Sequence, residues 1–113
     1  MNQISKKGRV IFSKDDKYYE AIWESRSHYC EECGIYLGDD LRDSSGRIAQ
    51  RWRFSHILPK GRYPKLRHHM MNMNLLCLIH HEQWENGDQK AMKIYEPNQI
   101  LIEKMRNEII SAQ

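Results

Sequence analysis

Three cysteines are too few, and odd in number, to staple this 113-residue chain with disulfides alone. It also has no run of 18 apolar residues, which argues against a membrane-spanning helix. The opening "MNQISKKGRV" is polar and basic and does not read as a secretion signal. A cytoplasmic protein without membrane partners is therefore expected. No internal repeat or low-complexity tract interrupts the chain. The most informative absence is local: between Ser44 and His81 there is no Asp or Glu.

That acid-free window carries Arg47, Arg51, Arg53, Lys60, Arg62, Lys65 and Arg67, a charge of +7. The remaining residues hold 11 of the 18 basic and all 15 acidic groups, hence −4. A net charge of +3 therefore conceals a cationic middle flanked by acidic ends, a distribution suited to a polyanion. Arg51, Arg53, Lys60, Arg62, Lys65 and Arg67 are the candidate nucleic-acid contacts; the competing reading is a solvated basic face.

The length fits one domain, and a mean hydropathy of −0.82 leaves one modest core, which a structural metal would reinforce. Residues Arg9–Phe12 read as a short strand, followed by a helix over about 15–27, capped by Ser13 or Asp15, with Tyr18, Ala21 and Ile22 at helical spacing. "DDLRDSSGR" is a turn-rich connector, "IAQRWRFSHI" a loosely alternating strand, and "LPKGRYP" an irregular loop fixed by two prolines and a glycine. Asn74–Leu78 reads as a second short strand or a turn, and a helix runs from about Ile79 towards Gly87. Pro97 opens a last helix over about 97–111. In it, Leu101, Met105 and Ile109 form a stripe for the core or a partner helix.

The cysteines fall into two knuckles, Cys30-Glu-Glu-Cys33 and Cys77-Leu-Ile-His80, each with two intervening residues. Such spacing lets a tight turn present both side chains to one tetrahedral ion, and Cys3His is a closed zinc shell. The alternatives are a redox dithiol at Cys30 and Cys33, for which no βαβ pattern is present, or unlinked cysteines. If His80 ligates zinc, His81 points elsewhere, because neighbouring helical residues lie about 100° apart. His81 shares its helix face with Glu85, four residues on, so both can serve one ion or phosphate. His56 ends a strand and enters the Pro/Gly loop, where a neutral imidazole could act as a general base.

His56, Asn72 and His81, interleaved with the two knuckles, resemble the HNH endonuclease pattern. "H56-I-L-P-K-G" is similar to the family's "H-I-x-P-x-x-x-G" turn, and "N72-M-N-L-L-C77-L-I-H80-H81" to its "N-L-x-L-L-C-x-x-C-H". The match covers about residues 30–85 and looks most like phage recombination-type (NinG-like) members. It implies an α+β fold: one small zinc-clasped ββα-metal domain over 1–113, with its motif core at about 28–90 between flanking N- and C-terminal helices. It also implies a metal-dependent DNA endonuclease working in a bacterial host or phage-infected cell.

In that reading His56 activates water, and Asn72 orients His56 or ligates the catalytic ion. Mg2+, Mn2+ or Zn2+ is held through His81, with Glu85, Ser55 or Asn72. Cys30, Cys33, Cys77 and His80 hold structural zinc. DNA is the expected partner, and a homodimer is left open. Three positions depart from the family pattern: Ser55 where Asp is common, His80 where Cys is usual, and Glu85 where some relatives carry His. The first favours the alternative of a zinc-stabilised nucleic-acid-binding module without catalysis. A zinc-clasped protein adaptor is the third class.

Overall fold

In a computed structural model of the chain, which describes residues 6–111, three helices surround a two-stranded antiparallel sheet. Helix α1 spans Lys6–Ser25, α2 Leu78–Asn86 and α3 Tyr95–Ser111. Strands β1 (Phe54–His56) and β2 (Met73–Leu75) pair with Phe54 opposite Leu75, Ser55 opposite Asn74 and His56 opposite Met73. The α+β class is as expected.

The expected strand at Arg9–Phe12 is instead part of α1. A short apolar run carries no period of its own. Here it continues a helix of 20 residues, and the sheet among the described residues contains only β1 and β2. Ser13 and Asp15 are consequently interior to the helix and do not cap it. The extended segment around Trp52 is also shorter than its alternation suggests. Residues Arg51–Arg53 form a 3-10 turn, so β1 begins at Phe54.

One face of α1 buries Tyr18, Tyr19, Ile22 and Trp23 against the sheet, with Tyr19 stacked on Phe54 at 4.5 Å between ring centroids. The core continues through Leu75, Leu76, Trp84, Ile94, Ile102 and Met105. In α3, Met105 is fully buried whereas Leu101 and Ile109 are only partly covered, so the stripe serves mainly as a core face. Helix α2 docks on the loop after β1 through Trp84, whose indole N–H donates to the Ile57 carbonyl at 3.2 Å.

Arg53 corrects an expectation. It is 1% exposed, and its guanidinium donates to the carbonyls of Leu37, Asp40, Leu41 and Ala49 at 2.7–3.2 Å while lying 4.3 Å from the Trp23 ring. Its five donors suit it to gathering the carbonyls of an irregular loop, so Arg53 is a core strut and not a phosphate contact.

Candidate functional site

The first knuckle is shaped by a tight turn. Gly34 adopts φ +80°, which favours glycine, and donates its N–H to the Cys30 carbonyl at 2.8 Å. Cys30 N–H returns to the Ile35 carbonyl, also at 2.8 Å. The second knuckle is a helix start: Cys77 is the N-cap of α2, which places His80 one turn on.

Both glutamates between the first two cysteines hold this turn in place, a role the spacing alone did not reveal. Glu31 accepts from Leu75 N–H and Asn74 Nδ2, each at 2.9 Å, and pairs with Arg26 at 3.1 Å. Glu32 accepts from the N–H groups of Lys93 and Ile94 at 3.0 Å. One therefore ties the knuckle to β2 and the other to the entry of α3.

The ligand atoms of Cys30, Cys33, Cys77 and His80 all lie within 4.8 Å of one another, so the four can hold one metal ion. Cys33 and Cys77 sulfurs are 3.9 Å apart, and His80 Nδ1 stands 3.7 Å from Cys30 and 3.2 Å from Cys77. Zn–S bonds near 2.3 Å at tetrahedral angles place sulfurs about 3.8 Å apart, so the spacing is consistent with zinc. Burial opposes ionisation of Cys30, but the backbone groups of Cys33, Cys77 and Glu32 and the His80 ring outweigh it and bring the thiol down to about 7. Burial and the neighbouring thiols push Cys77 up.

His81 lies outside this cluster. It lines a cleft together with His56, Glu85, Lys60, Arg51 and Arg67, as its place on the helix requires. Asp15 and Tyr19 of α1 complete that wall, and nothing in the local sequence connects them with residues some 50 positions away. Within α2, His81 Nδ1 is buried with no hydrogen-bond partner among the described residues.

His56 is 9% exposed and its Nε2 lies 2.9 Å from the Arg67 carbonyl. A carbonyl only accepts, so Nε2 carries the proton and Nδ1 is the basic nitrogen. Burial lowers the His56 pKa, with Lys60 and Arg67 acting in the same direction against the Arg67 carbonyl and Asp15.

Asn72 is fully buried, with Oδ1 accepting from Leu58 N–H at 2.7 Å and Nδ2 donating to the carbonyls of Leu58 and Leu66 at 3.1 Å. Its amide is committed to bracing the loop after His56, which leaves the role of ion ligand unsupported. Ser55 is likewise fully buried, and its Oγ has no partner among the described residues. Alternation along β1 turns it away from the cleft that Phe54 and His56 line, so it is not placed as a ligand.

The basic residues divide. Arg51 and Lys60 are exposed at the cleft, although Arg51 also pairs with Asp16 at 3.0 Å. Arg67 is held by Asp15 through two bonds of 2.9 and 2.7 Å. Arg62 and Lys65 lie on a separate groove beside Leu66 and Ile109.

Among the described residues, the Cys3His cluster is the one group of three or more His, Cys, Asp or Glu side chains arranged to hold a metal. At the cleft, His81 and Glu85 provide two candidate donors. Comparison with protein-family models, curated proteins and solved structures finds no match to this chain.

Proposed function

We propose that the chain is a metal-dependent DNA endonuclease of HNH type, with zinc as the structural ion in the Cys3His cluster. The observation that carries this reading is the division of labour between adjacent histidines: His80 joins three cysteines, while His81 faces a cleft that also holds His56 and two exposed cations. A scaffold built only for stability has no need of the second arrangement.

His56 is the general base. It is neutral near pH 7 because burial lowers its pKa, and its Nε2–H is anchored on the Arg67 carbonyl. Nδ1 takes a proton from water as the water oxygen forms a bond to phosphorus and the bond to the 3′ oxygen breaks. Lys60 and Arg51 attract and seat the backbone phosphates, a contact that carries little sequence information.

His81 and Glu85 fit a divalent ion as an uncommitted imidazole and a carboxylate one helical turn apart. Ions such as Mg2+ take one or two protein ligands and complete their shell with water and phosphate oxygens. Bound there, the ion would neutralise the phosphate and stabilise the leaving oxygen.

Supercoiled plasmid incubated with the zinc-loaded protein in Mg2+, Mn2+ or Zn2+ tests the proposal. Nicking that is lost in both His56→Ala and His81→Ala, each still folded, supports it. The second reading, a zinc-stabilised nucleic-acid-binding module, is favoured by the burial of Ser55 and by a cleft in which, with Asp15 paired to Arg67 and His56 kept as base, two metal donors remain. It predicts salt-sensitive DNA binding with no cleavage in any metal.

A further inference from the structure

Helix α1 and the residue just past its end send polar side chains to one short stretch of chain. Asp15 receives Arg67 Nε at 2.9 Å and Nη2 at 2.7 Å, and lies 2.6 Å from His68 Nε2. The Tyr18 hydroxyl donates to the His69 carbonyl at 2.6 Å. Arg26 donates to the carbonyls of Met70 and Met73. Positions 15, 18 and 22 recur at helical spacing, and Ile22 between the polar anchors is fully buried.

The stretch so held, residues 67–70, follows a three-residue 3-10 turn and belongs to no strand or longer helix. It carries the Arg67 carbonyl on which the His56 ring is anchored. We propose that Asp15 is a positioning residue for His56: by gripping the Arg67 guanidinium it fixes the Arg67 main chain, and with it the tautomer and direction of the base. This rests on the reading of His56 as general base.

The main-chain support of the stretch is thin. Arg67 N–H reaches the Pro64 carbonyl at 3.3 Å, His69 N–H reaches that of Leu66 at 3.1 Å, and the His69 carbonyl accepts from Asn72 N–H at 3.0 Å; none of these holds the Arg67 carbonyl itself. A two-point carboxylate–guanidinium pair, with Asp15 only 4% exposed, supplies direction as well as attraction. A displacement of about 1 Å at a reacting group costs on the order of 100-fold in rate. The same pairing commits both contacting nitrogens of Arg67 to Asp15. Loss of Asp15 frees that cation at the cleft, so affinity for DNA should not weaken while the chemical step does.

The test uses the full zinc-loaded chain and the variant Asp15→Asn. The imidazole 15N shifts of His56 report its tautomer without any cleavage, and kcat and KM on plasmid DNA report the consequence. In a folded variant with unchanged metal content, the His56 nitrogens should move towards averaged tautomers. At the same time kcat should fall by about 100-fold while KM does not rise. Unchanged His56 shifts, or a defect confined to KM, overturn the proposal. Should Asp15→Asn fail to fold, Arg67→Lys, which keeps the charge and removes the two-point grip, is judged by the same readings. A parent protein inactive in every metal refutes the nuclease reading, and the nitrogen shifts then still decide whether Asp15 positions His56.

Discussion

His80 and His81 are adjacent on α2, yet one joins the Cys3His cluster and the other lines the cleft. Replacing His80 with Ala should lower both metal content and melting temperature, because it opens the four-residue cluster. Replacing His81 with Ala should leave both nearly unchanged while abolishing cleavage; unfolding of His81→Ala with retained activity in His80→Ala would reverse the two assignments.

The same logic on β1 separates Ser55 from His56. The sequence resemblance invites Ser55→Asp as a gain of a metal ligand, but the site is fully buried and faces away from the cleft. A carboxylate there loses hydration without a counter-charge, so Ser55→Asp should destabilise the fold by about 2 kcal/mol or more. Denaturant titration at fixed metal content checks this, and unchanged stability contradicts it.

His56, proposed as general base, also implies a pH response. Its folded pKa lies below the ordinary 6.5, so the neutral base persists to lower pH than that of an exposed histidine. Cleavage should therefore stay level on the acid side of neutrality and fall only as pH drops through the lowered value. The sign for stability is the same. The folded form disfavours the bound proton, so this group's contribution is present above 6.5 and is lost as acid is added. Single-turnover rates across pH, compared at constant metal occupancy, measure it.

At the scale of elements, the two knuckles and helix α2 were legible because their spacing is local and their chemistry is narrow. What lay outside local spacing was missed. The run at Arg9–Phe12 has too few residues to show a helical or strand period, and it takes its conformation from the long helix around it. Glu31 and Glu32 entered the sequence reading only as the spacer between two cysteines, yet they have partners in β2 and before α3, more than 40 residues away. Glu32→Ala leaves two main-chain N–H groups without their acceptor and should cost about 1–3 kcal/mol. Thermal melting of the metal-loaded variant checks that figure. Cys33→Ser, which removes a ligand outright, should instead mimic chelation and abolish cooperative unfolding.

Across the whole molecule, the cationic window proved real in sequence but divided in space. Arg53 is interior and Arg67 is paired, whereas Arg51 and Lys60 stand at the cleft. Charge reversal at Lys60 with Arg51 should weaken DNA binding across sequences and reduce the salt slope by about one unit per lost contact. An unchanged slope in that double variant places the interface elsewhere. Sequence reading treated these cations as equivalent, since nothing local distinguishes an arginine that braces carbonyls from one that meets solvent.

The grip of α1 on residues 67–70 also has a consequence for how the chain is made. Asp15 meets Arg67 and His68 across 52 and 53 positions, and Cys30 meets His80 across 50. On a ribosome, the early helix and the first pair of thiols emerge well before their partners exist. Until then that helix face is exposed to chaperones, and the two thiols to any competing metal or oxidant. Closure waits for the second knuckle and is slowed by the length of loop that must be brought together. The four-residue cluster can thus take up a metal ion only once the second knuckle has been made, so the first pair of thiols is most open to side reactions before that point.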